Sequence, residues 1–515
     1  INSAVDSIYK HTENVGTKGV TEEFLAMIHQ EIPLDKAMRI PDARKAVNRE
    51  WDKLDDIKAW DFSSVASKWK VKKRAKDEKK VIHFGTVRAL CHKKNAQLAS
   101  EFWSYKGRVV FRGDIVKDQD GNWAVWNEQG TSASHLMAAR FVDAIARFPG
   151  MDGEDSDATG AYTQTFLGKD CPETWISLPR DRHPADWYYP DGTCKYEEPV
   201  IRLVRNLYGH PMAGLYWAQF CDERVRKVGF EPVIGWECLY KHPKDGLILS
   251  IYVDDFKLGG RKDKLKPMWE KLGHYLKLDP PQKLQNNVYL GMKQQDCPID
   301  PNIIAEKNEL YRRIFEGHID TPSGIEVPTS EKKGDTPKKK KTKKPSERMS
   351  PYKEEKPVAE GALSREKLPV KGYQYDLTGN ARDCVTRYLD LAKVKAESLK
   401  TVATPCMDDA QIAPEDFEDP GVLGKQAAKI VLKCLWIARL TRLDIMWTVN
   451  YLARHVTRWT KACDKRLFRL ISYINCTPDY VLYSYIGDPM EDCKLIQYSD
   501  ASFAGDVMDS KSTTG

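Results

Sequence analysis

The twelve cysteines of this 515-residue chain are scattered, and no two stand in a Cys-x-x-Cys pair. That leaves no ligand spacing for a zinc knuckle or ribbon. It also gives no disulfide framework and fits thiols kept reduced inside a cell. No apolar run approaches the ~18 residues that a membrane span requires, so no membrane partner is expected. Ile1-Asn2-Ser3 offers neither an initiator Met nor a signal-peptide pattern, which reads as a piece of a longer polypeptide. A large excess of one charge is missing too. With 81 basic against 74 acidic residues the net charge is only +7, so the placement of charge matters more than its sum.

Apolar side chains are plentiful. Hydrophobic content is 41%, with 14 Trp and 23 Tyr, and the length predicts two to four domains. The most telling stretch is Leu247-Ile248-Leu249-Ser250-Ile251-Tyr252-Val253, a buried-strand pattern that ends in Asp254-Asp255. Leu258-Gly259-Gly260 follows, so the spacing predicts strand, tight turn, strand, with the aspartates at the turn. A polar hairpin turn is the bland account of such a pair. Two adjacent anions at the end of a buried strand are nevertheless costly to desolvate unless a cation sits with them, and a divalent metal is the natural one.

Upstream, Ala46, Val47, Trp51 and Leu54 predict an amphipathic helix from Ala37 to about Trp60. Residues 67–114 are strongly basic. Alternation in Ser67-Lys68-Trp69-Lys70-Val71-Lys72-Lys73 and in the run from Tyr105 to Asp114 predicts two strands with a cationic face. A helical stripe between Ser132 and Phe148 precedes Asp155-Ser156-Asp157-Ala158-Thr159-Gly160-Ala161-Tyr162, which alone would read as an acidic surface turn. Downstream, Asp263 is placed as the N-cap of a helix over Lys264 to Leu278. Lys338 to Lys341, Lys343 and Lys344 sit among Pro, Ser, Thr and Glu, a composition that cannot bury a core and reads as a cationic linker. Lys425 to Leu440, Ile445 to Trp459 and Lys465 to Thr477 return to helical spacing.

Several of these pieces together resemble the polymerase region of copia-type retrotransposons. They are the Arg49 to Leu54 helix with Trp60, the basic hairpin through Lys106 and Arg108, and Asp157 with Tyr162 five residues on. Leu207-Tyr208-Gly209 with Ala213 and Trp217, Tyr252-Val253-Asp254-Asp255, and Tyr289-Leu290-Gly291-Met292 then follow in the same order. Thr441-Arg442-Leu443-Asp444-Ile445 and Gln497-Tyr498-Ser499-Asp500 extend the likeness toward the region before, and the first strand of, a ribonuclease H. Met212 stands where the family has Gln, and Gly214 where it has Pro.

The resemblance implies an α+β fold: a right-hand polymerase of fingers, palm and thumb, a helical connection segment, and an incomplete ribonuclease H-like C-terminus. The implied division is a polar extension over 1–35, fingers and palm over 36–325, a Lys-rich linker over 326–370, a connection region over 371–488, and the ribonuclease H start over 489–515. It implies RNA-directed DNA polymerase activity. Asp157, Asp254 and Asp255 would hold two Mg²⁺ ions, with Mn²⁺ as a substitute. Lys106 and Arg108 would contact the triphosphate, Met212 would lie at the nucleotide, and Tyr162 would exclude a 2′-hydroxyl. Asp500 is the one metal ligand of a ribonuclease H site whose other ligands would lie beyond Gly515. Implied partners are an RNA template, a DNA primer, deoxynucleoside triphosphates and the element's other polyprotein-derived domains, in a cytoplasmic particle or the nucleus. The alternative is a catalytically decayed remnant that binds nucleic acid without acting on it.

Overall fold

The computed structural model describes residues 30–94, 103–126, 133–168, 171–285, 287–315, 369–493, 501–502 and 513–514. The Lys338 to Lys344 run and Asp500 lie outside the described residues, as does most of the expected N-terminal extension. The chain is mixed α and β and divides into two compact units, one of residues 1–297 with 372–486 and the other of residues 298–371 with 487–515. Among the described residues no helix is long and apolar enough to cross a membrane.

In the first unit, a seven-stranded mixed sheet takes β1 (Gln30–Ile32), β2 (Trp60–Ser67), β3 (Ile82–Lys94), β4 (Ser104–Phe111), β5 (Lys117–Asp118), β7 (Glu173–Ser177) and β8 (Pro199–Leu203). Its core is closed by helix α1 (Pro41–Asp56), which turns Val47, Trp51 and Leu54 inward at the expected helical spacing. β4 crosses α1 at Gly107, where a Cβ would stand 2.5 Å from the Ala46 carbonyl oxygen, so only glycine allows the approach.

The second sheet is antiparallel, in the order β13-β6-β12-β11-β10-β9: β6 is Met151–Asp157, β9 Glu231–Pro232, β10 Leu239–His242, β11 Leu247–Tyr252, β12 Asp255–Arg261 and β13 Gln282–Lys283. Alternation sorts its two faces. Leu249, Ile251, Phe256 and Leu258 pack against helices α4 (Ala213–Val228) and α5 (Lys262–Gly273). The opposite face of β12 meets helix α3 (Leu136–Ile145), with Val142 filling the space over Gly259. A third sheet, β14 (Asn287–Tyr289), β15 (Met292–Cys297), β16 (Lys371–Asp376) and β17 (Leu482–Ile486), adjoins a core built by α7 (Thr378–Ala392), α8 (Ala427–Leu440), α9 (Met446–Arg454) and α10 (Lys461–Cys476). The second unit contains α6 (Pro301–Phe315) and the short pair β18 (Ala501–Ser502) with β19 (Thr513–Thr514).

Three expectations are corrected. The stretch after Ser67 is a helix, α2 (Lys68–Asp77), and not a strand. Val71 and Ala75, four apart, bury its one apolar face, and its Lys and Arg residues are good helix formers. Asp263 lies inside α5, whose N-cap is Arg261 and which ends at Gly273. Gly259 and Gly260 lie within β12 and do not break it, because the missing side chains admit Val142 and the main chain of Gly246.

Candidate active site

The Asp-Asp hairpin begins with strand pairing. Tyr252 lies opposite Asp255, so Val253 and Asp254 are the two turn residues. Val253 adopts a φ of 58°, a left-handed conformation that a β-branched residue strongly disfavours. The indole Nε1 of Trp217, fully buried on α4, donates a hydrogen bond to the Val253 carbonyl. The Ala158 amide donates to the Asp254 carbonyl at 2.7 Å. Surrounding structure therefore holds a turn that its own residues resist.

The register between β12 and β6 sets Asp157 directly opposite Asp255, so both carboxylates leave the same face beside the turn. Asp254 and Asp255 are buried, and Asp157 is half-buried. Burial pushes the Asp255 carboxyl well above the usual carboxylate range, and the charges of Asp254 and Asp157 push it the same way. A side-chain hydrogen bond joins Asp255 to Asp157. Two residues back on the same face, Asp155 is raised to about 7, chiefly by burial, with Lys257 opposing the shift.

β4 and the 206–212 loop supply the cations and rings. The Phe111 amide donates to the Tyr208 carbonyl at 2.8 Å, and Gly209, at a φ of 85°, lets the loop close on Phe111. This brings the Arg108 guanidinium over the Tyr208 ring at 4.6 Å, with the Tyr162 ring edge-on to Tyr208 at 4.8 Å between centroids. Lys106, two residues from Arg108 on the same strand face, is lowered to about 7 by burial and by Arg108, against the pull of Asp254 and Asp157. Asp157, Asp254, Asp255, Tyr162, Lys106 and Arg108 thus come together from four separate segments. Met212 is the half-buried N-cap of α4, and its backbone amide donates a hydrogen bond to His210 Nδ1 at 3.2 Å.

The chemistry of the donors fits a hard divalent cation. All are carboxylate oxygens, and their mutual repulsion is relieved by protons or by positive charge. Among the described residues no group of three or more His, Cys, Asp or Glu is placed so that it could hold a metal ion. A cation at Asp157, Asp254 and Asp255 would therefore need further oxygen ligands, of the kind that phosphates and water give Mg²⁺.

Four residues of this region escaped sequence reasoning. Trp217 was matched as part of a motif, with no role for its indole. Lys257 has no role in the sequence reading, although a lone Lys between Phe256 and Leu258 is a readable anomaly. Asp155 could have been found from its two-residue spacing to Asp157. Asp143 is buried in a helix whose stripe was read only for its apolar members. No protein-family model matches the chain, and no curated protein is significantly similar to it.

Proposed function

We propose that the chain is a template-directed nucleotidyltransferase, an RNA-directed DNA polymerase with a right-hand fingers and palm arrangement. The observation that carries this reading is the pairing of β6 with β12, which gathers Asp157, Asp254 and Asp255 at one strained turn facing Lys106, Arg108 and Tyr162. An array of anions beside an array of cations suits a metal-bound triphosphate better than it suits a neutral or purely anionic ligand.

Asp157 and Asp254 would hold the Mg²⁺ ions, and Asp255, hydrogen-bonded to Asp157, supports them from the adjoining strand. Bound there, Mg²⁺ supplies charge stabilisation for the triphosphate and lowers the pKa of a primer hydroxyl. Arg108 and Lys106 neutralise phosphate oxygens, and the Tyr208 ring under Arg108 fixes the direction of its guanidinium. Tyr162, braced edge-on by Tyr208, presents a rigid wall at the place where a sugar would pack. The type of reaction is positioning plus electrostatics, with no covalent enzyme intermediate.

A remnant that binds nucleic acid without extending it is the rival, and Met212 in place of Gln and Gly214 in place of Pro favour it. Primer extension on an RNA template with Mg²⁺ and four deoxynucleotides separates the two. The polymerase reading predicts products whose sequence follows the template. Tight binding of the template-primer with no extension would favour the remnant.

A further inference from the structure

One lysine lies buried inside the strand that carries the site. Lys257 has no exposed surface, and neither has Asp143 on α3, whose Oδ1 accepts a hydrogen bond from Lys257 Nζ at 2.8 Å. Withdrawing an ammonium and a carboxylate from water is costly even when they pair, and a hydrophobic residue would fill a strand position at no such cost. The pair is therefore poorly explained as a source of stability.

Its connections are informative. Lys257 follows Asp255 by two residues and lies opposite Asp155, which precedes Asp157 by two, so all four side chains share one face of the sheet. Asn287 Nδ2 donates to both oxygens of Asp155 at 2.5 and 2.6 Å. Lys257 Nζ stands 3.8 Å from the centre of the Tyr289 ring, at the tip of the β14–β15 hairpin. The second oxygen of Asp143 accepts a hydrogen bond at 2.8 Å from Tyr375 Oη on β16, 232 residues further along the chain. A single cation thus links α3, β6, β12 and the hairpin, and through Asp143 it reaches β16.

We propose that Lys257 is a positioning residue for the Asp157, Asp254 and Asp255 site, fixing the carboxylate face against the Tyr289 hairpin and coupling it to β16 through Asp143 and Tyr375. This rests on the polymerase reading. Lys257 touches no reacting atom in this role. It holds the two strands and the hairpin in one relation while a nucleotide is added, as outer partners orient the ligands of a metal site.

The test uses the full chain and the double variant Lys257→Met with Asp143→Asn. One charge of each sign is removed, so the net charge near the site is unchanged, and Asn still offers an oxygen to Tyr375. Melting temperature, Mn²⁺ affinity by titration calorimetry, and kcat and nucleotide KM in primer extension are measured. The expected result is a melting temperature close to wild type, with Mn²⁺ affinity and kcat each lowered about ten-fold and KM unchanged. Wild-type Mn²⁺ affinity and kcat in the double variant would overturn the proposal. Should the double variant fail to fold, Tyr375→Phe, which removes a single hydroxyl, decides by the same readouts: lowered kcat and Mn²⁺ affinity support the proposal, and unchanged values overturn it. If the wild type extends no primer, the polymerase reading fails while the Mn²⁺ comparison still decides this one. A wild type that binds no Mn²⁺ overturns both.

Discussion

At the scale of the residue, Tyr162 and the buried carboxylates make the sharpest demands. Tyr162 is held edge-on to Tyr208, so its hydroxyphenyl group is a fixed obstacle. Tyr162→Val should weaken discrimination against ribonucleotides about ten-fold or more, read as the ratio of kcat/KM for a ribonucleotide and its deoxy counterpart. An unchanged ratio would remove Tyr162 from the sugar site. The carboxylates predict a pH effect in the metal-free protein. Asp155 is raised to about 7 and Asp255 is raised as well, so the folded chain keeps protons that the unfolded chain releases near pH 4. The Asp155 contribution to stability is complete below pH 4 and is lost as pH rises through about 7, and that of Asp255 falls with rising pH in the same sense. Lys106, lowered to about 7, acts in the opposite sense only above that pH. Between pH 5 and 7 the metal-free melting temperature should therefore be higher for wild type relative to Asp155→Asn at the acidic end, with the advantage shrinking toward pH 7. Added Mg²⁺ should raise the wild-type melting temperature more at pH 7 than at pH 5. A Mg²⁺ effect independent of pH would contradict the cation site.

At the scale of the element, the hairpin between β11 and β12 depends on α4. Trp217→Phe keeps most of the ring but leaves the Val253 carbonyl without its donor, at a cost of about 1–3 kcal/mol. The same change should lower kcat, because the strained turn that carries Asp254 loses its restraint. Denaturant unfolding and primer extension measure the two effects, and a stability loss with full activity would show that the turn is self-sufficient. The hairpin itself was legible: a seven-residue run, apolar except for Ser250 and ending in two aspartates, predicts strand and turn, and that is what forms. Gly259 and Gly260 misled, since a glycine required by the close packing of Val142 looks the same in sequence as one that ends a strand. α2 misled for a related reason. Alternating Lys and apolar residues over seven positions fit both periods, and only the packing of Val71 and Ala75 selects the helix. The Asp143–Lys257 pair was not legible as a pair, because its partners lie 114 residues apart and the anomalous Lys257 does not announce which residue it meets.

At the scale of the molecule, positive charge is concentrated although the total is small. α2 carries Lys70, Lys72 and Lys73 along with Lys68, Arg74 and Lys76, the last three of which pair with Glu198, Glu173 and Asp120. If α2 follows nucleic-acid phosphates, replacing Lys70, Lys72 and Lys73 with Glu should reduce the slope of log affinity against log salt by roughly 2 for single-stranded RNA. An unchanged slope would assign α2 to a solvated face alone.

The central claim is that Asp157 and Asp254, brought together by the pairing of β6 with β12, carry template-directed nucleotidyl transfer. It is tested most directly by single-turnover addition of one deoxynucleotide to a primer on an RNA template, with each of the four template bases in turn, for wild type, Asp157→Asn and Asp254→Asn. Wild type should add only the complementary nucleotide, while both variants bind template-primer and melt as wild type does but lose the addition by about a thousand-fold. Equal rates in all three folded proteins would contradict the account.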